Sequence, residues 1–149
     1  MSDYDSRRYA DDAAALNNLN AAIVEEFRSN GGKVGGPFEG STLVLLHTTG
    51  AKTGKQRMSP LAYVTIDGRN YIVGSFAGAP KDPAWTHNLR ANPRARIEIG
   101  TDEYDVQARE LPHDERDVVY AALAEMVPTF AAYQAATTRV IPLFELVRV

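Results

Sequence analysis

Apolar residues first recur at helical spacing. Leu16, Leu19, Ile23 and Phe27 fall on one face of a stretch from about Asp12 to Arg28. That period predicts an amphipathic helix behind a polar, fraying tail. Gly31-Gly32 and Gly35-Gly36-Pro37 end the helix and form a flexible connection. Few Lys or Arg sit on its polar face, so it reads as a helix packed on the body of the domain. Peripheral contact with a membrane surface or a partner is the alternative.

The pattern then changes to strands. Ser41 to His47 is a continuous apolar run, and Met58 to Ile66 is a second strand. Asp67-Gly68 turns the chain into a third, Asn70 to Ser75. Ala95 to Ile99 and Glu103 to Glu110 form another hairpin around Gly100-Thr101-Asp102, and Val140 to Arg148 is the last strand. Nearest-neighbour turns with few intervening helices predict an antiparallel sheet that closes or half-closes into a barrel.

Three helices interrupt this sheet. Asp82 is placed to cap one with Pro83 at its first position, and Asn92-Pro93 stops it. Pro112 opens another that carries Val119, Ala122, Leu123 and Met126 on one face. Pro128 breaks it, and Thr129 is placed to cap a short helix with Phe130 and Tyr133. The fold class is therefore α+β with a small barrel. Residues 1–30 form a tail and helix, and residues 31–149 a single domain.

Composition narrows the chemistry. The chain has 149 residues, enough for one domain with a real core. Its net charge of −3 gives no electrostatic case for nucleic acid. Without cysteine, disulfides, thiolate nucleophiles and zinc-thiolate sites are excluded. The start of the chain has several Asp residues and no basic-then-apolar leader, and no run reaches membrane-span length, so the expected location is the cytoplasm. His47, His87 and His113 are widely spaced with no partner ligand at i, i+4, so no metal site is expected. No Gly-x-Ser-x-Gly elbow is present either.

One loop stands out. Between the first two strands lies Gly50-Ala51-Lys52-Thr53-Gly54-Lys55-Gln56-Arg57, too long for a plain hairpin. Its glycines let backbone N–H groups turn toward an anion, while its Lys and Arg supply charge and a bidentate fork. It is not a triphosphatase P-loop, because Gln56 stands where Ser or Thr would hold magnesium and a strand follows in place of a helix. The local pattern leaves two readings, a solvated charged hairpin tip or a phosphate grip.

Two further segments could face it. Gly74-Ser75-Phe76-Ala77-Gly78-Ala79-Pro80 is nearly all small residues, which permit close backbone approach to a flat ring. The helix after Pro83 carries Trp85, Asn88, Leu89 and Asn92 on one face. Trp85 is either core or a cofactor shield, and Asn88 could donate to a phosphate or a ring carbonyl. With no metal signature, thiol or triad, an organic cofactor carrying the difficult chemistry is the economical reading.

The ordered series from Leu46-His47 through Arg57, then Ser59-Pro60-Leu61 with Tyr63, then Ser75 with Ala77-Gly78-Ala79, then Trp85 to Pro93 resembles the deazaflavin-dependent nitroreductase family. The similarity runs from about Gly31 to Val149. It implies a split β-barrel oxidoreductase using the 8-hydroxy-5-deazaflavin coenzyme F420, with no metal. A related enzyme using flavin mononucleotide (FMN) and a non-catalytic deazaflavin carrier are the alternatives. The resemblance assigns the phosphate grip to Lys52 and Arg57 with Ala51 and Thr53. It assigns a cofactor wall to Met58, Ser59, Pro60, Leu61 and Ala62, ring contacts to Val73, Gly74, Ser75 and Phe76, and helix contacts to Ala84, Trp85, Thr86, His87 and Asn88. Ser75 and Tyr133 are the implied catalytic residues, and Val127, Phe130 and Tyr133 line the implied substrate pocket. Nitroimidazole-reducing members place three tyrosines over the substrate, and here only Tyr133 keeps the hydroxyl. Phe76 replaces a lysine of such enzymes. Both departures point to a more apolar pocket and to a small, electron-poor organic acceptor, quinone-like or conjugated.

Overall fold

The computed structural model describes residues 13–32 and 43–149, with side chains in the first helix from Ala21 onward and without that of Ala77. The expected tail, the side chains of Leu16 and Leu19, the Gly35-Gly36-Pro37 connection and the start of the first strand at Ser41 lie outside the described residues. Helix α1 spans Ala13–Ser29 and ends at Gly31 and Gly32, both at positive φ. Six strands follow: β1 Leu43–Thr49, β2 Gln56–Ile66, β3 Arg69–Val73, β4 Arg94–Ile99, β5 Asp102–Glu110 and β6 Leu143–Arg148. They close into a barrel in the order β1-β2-β3-β6-β5-β4, and β4 pairs back onto β1. Each pairing is antiparallel. The α+β barrel expected from the pattern is the fold observed.

The continuous apolar run of β1 has a direct cause, because both faces of the strand are buried. Val44 and Leu46 point into the barrel with Ile72, Ile97, Val106 and Phe144. Leu43 and Leu45 point outward, beneath Ile23, Val24 and Phe27 of α1. Phe27 is 1% exposed, and burying such a side chain stabilises by roughly 1.5–3 kcal/mol. The described apolar face of α1 is therefore spent on the barrel. No described helix is long and apolar enough to cross a membrane.

The β2–β3 turn needs Asp67-Gly68 because both residues adopt positive φ, 52° and 76°, as a tight hairpin between Ile66 and Arg69 requires. Helices α2 Ala84–Ala91, α3 His113–Met126 and α4 Thr129–Ala135 cover the rest of the barrel. Four sequence expectations are corrected here. Asp82 does not cap α2. Pro83 takes the cap position with extended backbone, and the Asp82 carboxylate turns to Arg90 and Arg139. Thr129 is the first helical residue of α4, and Pro128 precedes it as the cap. Met126 is 57% exposed, because the buried stripe of α3 is Arg116, Tyr120 and Leu123 and the helix ends at Met126. The last strand begins at Leu143 rather than Val140. Pro142 has no N–H, and the Ile141 N–H is taken by the Gln134 side chain.

Candidate active site

The loop between β1 and β2 is closed at its base by two backbone bonds. Gly50 N–H donates to the Lys55 carbonyl at 2.8 Å, and Gly54 N–H donates to the Gly50 carbonyl at 2.9 Å. The Thr53 hydroxyl accepts from Lys55 N–H at 3.2 Å. Gly54 has φ +70° and open space where a Cβ would stand, so it serves the turn, while a side chain at Gly50 would strike Thr53 Oγ1 at 2.8 Å. Lys52, Lys55 and Arg57 are exposed.

The electrostatic setting of these three cations is distinctive. Elsewhere, Arg28, Arg69, Arg90, Arg94, Arg96, Arg109, Arg116 and Arg139 each meet a carboxylate, and Arg148 stacks on the Tyr104 ring at 4.2 Å. Lys52, Lys55 and Arg57 meet none among the described residues. Three clustered, solvated cations without a counter-charge form a standing positive patch suited to an anion.

Asn88 joins this loop to α2. Its side-chain oxygen accepts from Ala51 N–H at 2.9 Å, and its amide nitrogen donates to Thr48 Oγ1 at 3.2 Å. Asn88 is only 8% exposed, so its amide braces the loop from within. Two neighbours on α2 are also committed to packing. Trp85 lies in the barrel core with its ring 5.7 Å from that of Phe144, and Thr86 is fully buried with its hydroxyl donating to the Pro83 carbonyl. Trp85 thus takes the core role of the two read from the sequence. Ala84 and His87 are the exposed residues of this group.

The small-residue segment continues the wall. Gly74 N–H donates to the Pro142 carbonyl, and an added Cβ at Gly74 would meet Pro142 Cγ at 2.7 Å and Thr86 Cγ2 at 3.0 Å. Ser75 is 9% exposed, and its hydroxyl has no partner among the described residues. Phe76 sits at φ 46° and opens a single 3-10 turn, Phe76–Gly78. Gly78 lies against α4, where a Cβ would meet the Tyr133 carbonyl at 3.0 Å and Ala136 Cβ at 2.8 Å. A continuous line of contacts therefore runs from the basic loop through Asn88 and Thr86 to Gly74, Gly78 and Tyr133.

On β2 the strand alternation divides the expected wall. Met58, opposite His47, packs with α1, while Leu61, opposite Val44, packs with the barrel interior. Ser59 and Pro60 are half-buried and Ala62 is exposed, so this stretch remains open to solvent although its partner β1 is nearly covered. On α4, Phe130 is buried in the core beneath α3, and its ring stands edge-on to Tyr133 at 6.2 Å. Val127 is exposed at the helix junction.

The sequence reading missed the polar frame behind this wall. Arg116 is buried and donates to the Ile141 carbonyl and to Gln134 Oε1, and it lies 4.3 Å from the Tyr120 ring centroid. Tyr120 donates to the Phe130 carbonyl at 2.7 Å, and burial pushes its phenol up to about 12. Arg139 bonds the 74–82 segment and Asp82. None of these had a spacing signal, because each acts through contacts distant in sequence. His47 has a role the sequence did not suggest. It sits 2.6 Å from Glu98, which also pairs with Arg28 of α1, and the Arg28 hydrogen bond holds the Glu98 carboxyl below its ordinary range. His113 does have a carboxylate at i, i+4, Asp117 at 3.3 Å, but this is an exposed helix-surface pair. Among the described residues no group of three metal ligands forms.

Comparison with known proteins places the chain in a family. The family model for F420H(2)-dependent quinone reductases matches residues 20–147. An F420H(2)-dependent quinone reductase of Mycobacterium tuberculosis is 39% identical over 129 residues, covering 82% of this chain and 85% of that protein. Among solved structures, an F420-H2 dependent reductase (FDR-A) aligns with TM-score 0.62 and 41% identity over 70% of this chain and 92% of that one. A second, described as a domain-swapped dimer, aligns with TM-score 0.64 and 35% identity over 90% of this chain and 98% of that one.

Proposed function

The chain belongs to the F420H(2)-dependent quinone reductase family of oxidoreductases, and we propose that it uses reduced F420 to reduce a small, electron-poor organic acceptor such as a quinone. The observation that carries this reading is the cluster of Lys52, Lys55 and Arg57, without acidic partners among the described residues, beside a wall of small residues. The donor set fits a phosphorylated coenzyme. Cations and a glycine-bearing loop suit its anionic tail, and the Gly74–Phe76 backbone suits the polar edge of a flat ring. When bound, the coenzyme supplies a hydride and leaves to the protein the tasks of orientation and shielding.

Lys52 and Arg57, with Ala51 and Thr53, hold the tail. Ser59, Pro60 and Ala62 on the open stretch of β2 flank the coenzyme, and Ala84 and His87 are available from α2. Ser75 is 9% exposed, and its hydroxyl, without a partner among the described residues, is placed to hold a polar atom of the ring or of the acceptor. Val127, Phe130 and Tyr133 form the apolar side of the acceptor pocket, where Phe130 excludes water and Tyr133 is the phenol that can donate. The acceptor is a conjugated molecule rather than a nitroimidazole, because Val127 and Phe130 offer no hydroxyl.

Fluorescence titration with F420 and, separately, with flavin mononucleotide tests the coenzyme assignment. Tight binding of F420 alone is expected, and tight binding of flavin mononucleotide alone would overturn it. Adding menadione to the reduced complex tests turnover. Reoxidation faster than in free solution is expected, and an unchanged rate would make the chain a carrier.

A further inference from the structure

Arg139 lies between α4 and β6, outside every segment to which a site role has been given. Its Nε donates to the Ala79 carbonyl at 2.9 Å, Nη1 to the Gly74 carbonyl at 3.0 Å and to Asp82 Oδ1 at 2.7 Å, and Nη2 to the Ser75 carbonyl at 2.8 Å. Its own carbonyl accepts from Gln134 Nε2 of α4 at 2.7 Å. One side chain therefore spans three carbonyls of the ring-facing segment, and its backbone holds the acceptor-side helix. Only a planar guanidinium presents enough donors in fixed directions for this set.

The consequence for the loop is geometric. In a trans peptide the N–H lies opposite the C=O. With the Gly74 and Ser75 carbonyls drawn to Arg139, the N–H groups of Ser75 and Phe76 face the other way, and neither has an acceptor among the described residues. Phe76 keeps a positive φ of 46° that a non-glycine residue adopts only when its surroundings impose it. Asp82 locates the guanidinium and is itself held by Arg90 at 3.2 Å, which is anchored in turn by Glu110.

We propose that Arg139 is a positioning residue of the reductase site: it fixes the 74–76 peptide units so that their free N–H groups meet hydrogen-bond acceptors on the deazaflavin ring, and it ties that wall to α4. This rests on the function proposed above and assigns the ring side of the site, as Lys52 and Arg57 serve the tail side.

The test compares Arg139→Met, Arg139→Lys and, as control, Arg96→Met, which removes an exposed pair with Glu103 and touches no member of the clamp. Each full-length variant is measured for melting temperature, for affinity toward F420 and toward its unphosphorylated chromophore, and for the absorption shift of the bound ring. Arg139→Met should weaken both ligands by about tenfold or more and abolish the shift, because several charge-assisted bonds set the loop. Arg139→Lys should recover part of the affinity, and Arg96→Met should bind as the parent does. A folded Arg139→Met with parental affinity and spectrum would overturn the inference while leaving the function intact. Failure of the parent protein to bind F420 would overturn both. If Arg139→Met does not fold, Arg139→Lys and Asp82→Asn decide by the same two readouts.

Discussion

Two groups of cations divide this molecule. Lys52 and Lys55 on the hairpin tip and Arg57 at the start of β2 are exposed and lack carboxylate partners among the described residues. Arg116 and Arg139 are largely buried, and every side-chain hydrogen bond recorded for them ends on a carbonyl, carboxylate or amide oxygen. Neutralised charge builds the frame, and unneutralised charge is left for a ligand. Asn88 sits at the border, buried like the frame but bonded to the loop.

The contrast can be broken at four points. The largest effect is expected from Lys52→Ala combined with Arg57→Ala, which should weaken F420 binding by about 1.5–3 kcal/mol for each charge-assisted bond lost while leaving the melting temperature unchanged. Calorimetric titration and thermal unfolding together decide this, and a stability loss without an affinity loss would place the loop in the frame. Arg116→Met should do the opposite. It strips a bond from the Ile141 carbonyl and another from Gln134, for about 1–3 kcal/mol of stability in a denaturant titration, with tail affinity nearly intact. Asn88→Ala should act on both properties, by about 0.5–1.5 kcal/mol for each hydrogen bond lost, since it frees the loop from α2. The smallest effect concerns pH. The Glu98 pKa is lowered in the folded state, first by the Arg28 hydrogen bond. Its stabilising contribution is present above the unfolded value near 4.5 and is lost as pH falls through the folded one. Half of Arg28 is exposed, so solvent limits the contribution to no more than about 1 kcal/mol. Glu98→Gln should flatten the acid limb of the stability curve, and an unchanged limb would show that the α1 anchor does not depend on this pair.

What the sequence disclosed follows the same division. Period-2 and apolar runs announced all six strands, and Asp67-Gly68 announced its turn, because these features are local. The basic loop was legible for the same reason. The frame was not. Arg116, Gln134 and Arg139 look like ordinary surface residues until folding brings their acceptors within reach. Asp82 read as a helix cap because short-range chemistry favoured it, yet Arg90 and Arg139 offered its carboxylate stronger, charge-assisted partners. The single tryptophan fitted both a core and a cofactor role, and Phe144, some sixty residues away, settled it in the core.

The most direct measurement compares F420 with its unphosphorylated chromophore on the parent protein and on the Lys52→Ala, Arg57→Ala double variant. The account predicts that the parent prefers the phosphorylated form by about a hundredfold or more and that the double variant loses most of that preference, while binding of the bare chromophore changes little. An equal preference in both proteins would contradict it, because the free cations would then have no phosphate to hold.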